Sequence, residues 1–157
     1  MSPAGRPAHP AGRLEQGVLA AVAVGGALGS AARYGLAVLW PNPGGLPWAT
    51  LTTNLLGCAL LGALMQAVTK RVTAHRLLRP FLGTGVLGGF TTFSTYAVET
   101  RQLLASGRPG LALAYALGTL VGALFAVRLG MWLSGRVPAR ARSDRKGPFP
   151  TRPRRGE

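Results

Sequence analysis

Acidic residues are nearly missing: 4 Asp and Glu stand against 18 Lys and Arg in 157 residues, a formal net charge of +14. No carboxylate pair and no nucleophile with a neighbouring base occurs at useful spacing, so nothing in the chain points to an enzyme. Cysteine is down to one, Cys58, which excludes an internal disulfide framework and any CxxC metal or redox motif; it reads as a small packing residue. The two histidines, His9 and His75, have no second ligand at metal spacing, and a metal site made from them is not expected. Charge of either sign is missing from four long windows: Gln16 to Ala32, Tyr34 to Thr69, Pro80 to Val98 and Pro109 to Val127. A soluble basic protein would spread its charges over every amphipathic element. A bilayer core needs about 20 mostly apolar residues per helix, so the pattern belongs to an all-α integral membrane protein.

Extending each window to its nearest boundary signal predicts four spans, Gly17 to Trp40, Pro47 to Thr69, Phe81 to Ala105 and Gly110 to Leu133. Residues 1–16 form an N-terminal tail, 17–134 the transmembrane domain, and 135–157 a basic tail, rich in proline, that reads as disordered. Pro41-Asn42-Pro43-Gly44-Gly45 is a turn cluster that closes the first two spans into a hairpin. Trp40 and Trp48 flank it like an interfacial belt. With four spans, the N-terminal tail (Arg6, Arg13), the second connection (Lys70, Arg71, Arg76, Arg79) and the C-terminal tail with eight Lys/Arg share one side. The other side offers Arg108 and Arg101. The positive-inside rule then places both termini in the cytoplasm, with the chain in the cell's inner (plasma) membrane. Basic clusters also suit nucleic acid, but topogenic signal and contact with anionic lipid account for these charges.

A charged residue inside hydrocarbon costs about 2.5 to 3.5 kcal/mol on insertion scales, so Arg33, Glu99, Arg101 and Arg128 each need a reason. Arg101 and Arg128 lie close enough to span ends to snorkel. Arg33 and Glu99 lie about two turns inside and are functional candidates, with structural pairing as the alternative. The third span is unusual. Gly88-Gly89 followed by Thr91-Thr92 is poor helix sequence, each glycine costing about 1 kcal/mol relative to alanine, and predicts a break at mid-membrane. Non-helical backbone is tolerated there only where it is buried in protein or lines a cavity. The literal GxGxxG match over Gly83 to Gly88 lacks a preceding strand and is accidental. Gly25 with Gly29, Gly85 with Gly89, and Gly118 with Gly122 make GxxxG pairs that let helices approach closely.

After the break, Thr92, Tyr96 and Glu99 share one helical face, and Phe93 and Tyr96 are three apart. The second span adds Thr50, Thr52, Thr53 and Asn54; the fourth adds Tyr115 and Thr119 at i, i+4. Asn54 carries donors and an acceptor that its own helix cannot satisfy. Neutral donors with aromatic edges suit a small dehydrated anion, because ring edges carry the positive end of the quadrupole. The residues alone therefore lead to a polar pathway through a small helical bundle.

At these residues the chain resembles the CrcB/Fluc fluoride channel family. The resemblance is carried by Gly25-Gly26-Ala27-Leu28-Gly29-Ser30-Ala31-Ala32-Arg33-Tyr34, by Thr50-Leu51-Thr52-Thr53-Asn54-Leu55-Leu56-Gly57, and by Gly85 through Glu99 with its Gly-Gly-Phe-Thr-Thr-Phe-Ser-Thr run. It implies a passive, fluoride-selective channel that lowers cytoplasmic fluoride, built as an antiparallel dimer of four-helix subunits. It further implies a sodium ion at the dimer interface, held by the backbone carbonyls of Gly88 and Thr91. Phe93 and Tyr96 match the pore aromatics, Asn54 the anion donor, and Ser94 and Thr95 the hydroxyls beside them. Glu99, Tyr115 and Thr119 match a polar track toward one pore mouth. Arg33 matches the first-span arginine, as structural anchor or as anion attractor. Tyr96 stands where the family often has phenylalanine. The charge bias favours one orientation, so an antiparallel pair points to a paralogue of opposite orientation as partner. A proton-coupled small-anion secondary transporter, with Glu99 carrying the proton, is the alternative function.

Overall fold

The computed structural model describes residues 10–41, 44–70 and 76–136, and every regular element among them is helical. Helix α1 runs Pro10–Leu39 and α2 runs Trp48–Lys70. A π-helical segment, Pro80–Leu87, leads into a three-residue α3, Gly88–Phe90. After Thr91 and Thr92 the chain resumes as α4, Phe93–Ala105, and ends in α5, Pro109–Arg136.

Three helical stretches are long and apolar enough to cross a membrane: Leu14–Leu39, Trp48–Thr69 and Pro109–Arg136. The expected third span is not among them, because residues 80–105 are divided into helices of eight, three and thirteen residues. The first helix starts at Pro10 rather than Gly17, since proline in a first turn gives up an N–H that has no partner anyway. The last runs to Arg136 rather than Leu133, three residues past the expected end. Beyond it, the expected basic tail lies outside the described residues, as do His9, Asn42, Pro43 and residues 71–75 of the second connection, His75 among them.

Turn chemistry fixes the ends. Pro41 disfavours helical backbone in the residue before it, and the last helical bond of α1 runs from Trp40 N–H to the Leu36 carbonyl. Helix α4 closes in a Schellman motif: Gly107, at φ 73°, donates its N–H to the Leu104 carbonyl, and Arg108 N–H donates to that of Leu103. Only a residue tolerant of positive φ fits that turn. Pro109 then opens α5.

The helices pack in two sets. Helix α1 lies against the π-helical segment and α3, whereas α2 lies along α5, with α4 against α5 as well. Hydrocarbon gives no hydrophobic drive between helices, so close backbone approach has to supply the packing. A Cβ on Gly29 would meet the Val86 carbonyl oxygen and the Phe90 nitrogen, and one on Gly89 would meet the Gly26 carbonyl. In the other set, Gly62 faces the Val127 carbonyl and Gly130 that of Ala59. Gly25 and Gly85 touch each other's backbone, so two of the expected GxxxG pairs face one another. The third splits: a Cβ on Gly122 would meet Leu55, while Gly118 has nothing within 4 Å and is not a packing glycine.

Candidate functional site

Thr91 and Thr92 have extended backbone, at φ −82°, ψ 155° and φ −148°, ψ 123°. Two β-branched residues after two glycines favour that geometry over helix. Asn54, reaching across from α2, satisfies the backbone there on both sides. Its Nδ2 donates to the Thr92 carbonyl at 3.0 Å and its Oδ1 accepts from Thr92 N–H at 2.8 Å. Neither group is fully exposed, so each would otherwise carry a desolvation penalty.

This clip changes what neighbouring carbonyls can do. In a continuous helix, Thr92 N–H would bond to Gly88 and Thr95 N–H to Thr91. Here Thr92 N–H goes to Asn54, and Thr95 N–H goes to the Thr92 hydroxyl at 3.2 Å, which caps α4. The carbonyls of Gly88 and Thr91 are thereby released from those two partners, as a cation site made from them would require. Gly89 is engaged instead: its carbonyl accepts from Ser30 Oγ at 3.4 Å and from Arg33 Nε at 3.3 Å.

Beyond the cap, the Phe93 and Tyr96 rings stand 5.7 Å apart at 48°, and Tyr96 stands 5.5 Å from Tyr115. The Tyr96 hydroxyl donates to the Ala116 carbonyl at 3.1 Å, so it fixes the ring rather than offering a free donor. Phe93 is 79% exposed. Asn54, Thr91, Thr92, Phe93, Tyr96, Thr119 and Cys58 line an open groove of about 350 Å³. Thr119 is 5% exposed, and its hydroxyl is the one buried side-chain polar atom among the described residues with no hydrogen-bond partner. Cys58 is half-buried at this groove rather than packed away.

A second hollow, of about 410 Å³, lies toward the α1–α2 turn and is lined by Arg33, Thr50, Thr53, Thr95, Glu99 and Gln102 among others. Both oxygens of Glu99 are used: Thr50 Oγ1 donates to Oε1 at 2.8 Å and Tyr115 Oη to Oε2 at 2.7 Å. Tyr115 is 2% exposed. Thr53 turns inward and donates to the Thr50 carbonyl at 2.9 Å. Ser94 bonds the Thr92 hydroxyl at 3.2 Å, and Thr95 accepts from it at 3.1 Å.

The expected residues thus fall into two adjoining groups. Asn54, Phe93, Tyr96 and Thr119 meet at the groove; Arg33, Thr95 and Glu99 line the hollow, with Tyr115 closing over Glu99. Ser94 lies between them at the cap. Sequence reading missed three features: the π-helical turn, which has no pattern of its own; the engagement of Ser30 beside Arg33; and Gln102. Ser30 sits three residues before Arg33, on the same helical face, and that spacing could have paired them.

Comparison with known proteins places these residues in a family. The family model described as CrcB-like protein, Camphor Resistance (CrcB), matches residues 20–131. A protein of Streptomyces coelicolor named fluoride-specific ion channel FluC 1 is 51% identical over 135 residues, covering 85% of this chain and 88% of its own length. Two proteins of Streptomyces avermitilis are also similar. Fluoride-specific ion channel FluC 2 is 56% identical over 104 residues, 66% of each chain, and FluC 3 is 43% identical over 139 residues, 85% of this chain and 68% of its own. The match spans every element that builds the groove and the hollow, and the chain belongs to the CrcB-like family of membrane proteins.

Proposed function

We propose that this chain forms a fluoride-selective channel through which fluoride leaves the cytoplasm passively. The observation that carries the reading is the groove at Asn54. Its wall offers a second Nδ2 hydrogen of Asn54, the unpartnered Thr119 hydroxyl and the rings of Phe93 and Tyr96, with no fixed charge. A small anion shedding water needs hydrogen-bond donors and aromatic rings that present positive edges, and the groove holds both residue types. The relatives' name, fluoride-specific ion channel, supports the choice of anion.

Fluoride would pass between the groove and the hollow, along Asn54, Phe93, Ser94, Thr95 and Tyr96. Glu99 walls the hollow and holds the hydroxyls of Thr50 and Tyr115 in place. Arg33 is anchored through Nε to Gly89 and lines the hollow, which suits a structural role combined with attraction of anions to the mouth. A sodium ion fits the released carbonyls of Gly88 and Thr91, and would supply fixed positive charge beside the interruption without a charged side chain. The interruption itself is taken to lie at mid-membrane, within a transmembrane domain over about residues 17–134.

A second subunit completes this reading. The Phe93 ring is 79% exposed although it lines the groove, so one chain walls only part of the route. We take the assembly to be an antiparallel dimer. The basic bias of the N-terminal tail, the second connection and the C-terminal tail puts both termini of this chain in the cytoplasm, so its partner faces the other way. Two similar proteins from one organism are consistent with a paralogue as that partner.

The test is fluoride release, read with a fluoride electrode, from liposomes holding this chain alone or with an oppositely oriented paralogue, with chloride as control. Rapid fluoride release without chloride supports the channel. Absence of release under both conditions refutes it. Release from the chain alone refutes the need for a paralogue.

A further inference from the structure

Where α2 and α5 come to their common end, a hollow of about 530 Å³ is lined by Gln66, Arg128, Met131, Trp132, Gly135 and Arg136. It is remote from the groove at Asn54, and the proposed ion route makes no use of it. The backbones of α2 and α5 touch just beneath it, where Gly130 meets the Ala59 carbonyl and Gly62 meets that of Val127. Above these contacts Gly135 faces the Gln66 amide, the nearest atom to a Cβ there being Nε2 at 3.6 Å.

The hollow is chemically specific. Arg136 stacks its guanidinium 3.4 Å from the centre of the Trp132 ring, a cation–π contact that fixes the head of a flexible side chain. Arg128 is exposed, and the described carboxylates lie elsewhere: Glu99 is bonded to Thr50 and Tyr115, and Glu15 is on α1, which does not pack on α5. Arg79, against Met65 Sδ at 3.9 Å, adds positive charge at the same end of α2. Gln66 adds a neutral amide to the wall.

Depth decides what this cluster meets. The 28 residues of α5 span about 42 Å, about 12 Å more than a hydrocarbon core of about 30 Å. In a centred helix, Arg136 stands about 6 Å outside the core and Arg128, eight residues earlier, about 6 Å inside it. Arg128 therefore has to snorkel upward, past Trp132, to the level where lipid phosphates lie.

We propose that this hollow is a binding site for the headgroup phosphate of an anionic phospholipid, with Arg128 and Arg136 as its charged donors, Gln66 as a neutral one and Trp132 as the platform that holds Arg136. Two guanidiniums converge where a phosphate diester resides, and guanidinium is the side-chain group best matched to phosphate geometry. The flanking apolar surface of Met131 and Trp132 takes the start of the acyl chains.

The test uses the full chain in mild detergent, exposed to equimolar phosphatidylglycerol and phosphatidylcholine with identical acyl chains, with bound lipid counted by native mass spectrometry. Phosphatidylglycerol is expected to be enriched. Arg128→Gln and Arg136→Gln should each lower that enrichment by about fivefold, the factor for about one surface arginine facing anionic lipid, while Arg101→Gln at the other end leaves it unchanged. Equal retention of the two lipids, or an enrichment that persists in both variants, overturns the proposal. Should a variant not elute as a folded species, the wild-type chain still decides: its enrichment must fall as sodium chloride is raised. Millimolar inorganic phosphate must not displace the lipid; displacement would identify free phosphate as the ligand and refute the lipid assignment.

Discussion

Asn54→Ala tests whether the amide holds the backbone as well as serving an anion. The substitution leaves the Thr92 N–H and carbonyl without their partners at 2.8 and 3.0 Å. An unsatisfied buried group costs about 1 to 3 kcal/mol, and partial burial puts each at the lower end, for a total of about 2 to 3 kcal/mol. At about 2 to 4 °C per kcal/mol for a chain of this size, melting should fall by about 7 °C. Asn54→Asp keeps the acceptor for Thr92 N–H but turns a carboxylate oxygen toward the Thr92 carbonyl and adds a charge that costs about 2.5 to 3.5 kcal/mol at membrane depth, so it should lose at least as much as the alanine variant. The assay is thermal unfolding of purified protein in detergent, followed by intrinsic fluorescence, in parallel with fluoride release from liposomes. Both variants should also lose most fluoride flux. An alanine variant that melts within about 1 °C of wild type would refute the reasoning, leaving Asn54 as an anion donor alone.

Thr119→Val removes the buried hydroxyl that has no partner, so stability should rise by about 1 kcal/mol while fluoride flux falls; unchanged flux would take Thr119 off the ion route. Glu99→Gln keeps an oxygen for one hydroxyl and an amide for the other, and flux in liposomes should stay within about tenfold of wild type, whereas complete loss would favour a proton-coupled carrier. Gly29→Val drives a side chain into the Val86 carbonyl and the Phe90 nitrogen and should prevent recovery of folded protein by size-exclusion chromatography. Gly118→Ala meets nothing and should stabilise α5 by about 0.5 to 1 kcal/mol, read as a higher melting temperature.

Much of this was legible in the residues because a membrane reduces folding to a few rules. Charge-free windows of about twenty residues mark helices whatever their packing, and Gly25, Gly29, Gly85 and Gly89 mark where backbones meet. Gly88-Gly89 before Thr91-Thr92 signals poor helix, and Asn54 stands out as an amide that its own helix cannot satisfy. What was not legible is partnership. Nothing in the sequence says that Asn54 clips Thr92, or that Thr92 itself caps α4, because either threonine could bond back to its own helix, as Thr91 does to the Leu87 carbonyl at 2.9 Å. Helix ends were also misread at Pro10 and Arg136, where α-helix continues beyond the apolar windows. Gly118 shows the converse limit: GxxxG spacing gives an opportunity for contact, and only a facing backbone makes it one.

The segment from Pro80 to Ala105 belongs to both packed sets. Its first part lies with α1 and its last part with α5, and Thr91 and Thr92 are the only covalent bridge between those parts. Each set is closed by its own glycine contacts, and within this segment the two extended threonines are the strap between them. Along this segment, movement of one set against the other would be absorbed at those two residues, without unwinding any helix. The Asn54 amide, which crosses from α2 to that strap, acts as the latch that sets their relative position. A change far from the groove, such as a bulkier residue between α1 and the π-helical segment, can therefore reach the groove by shifting the strap, leaving every side chain that lines it intact.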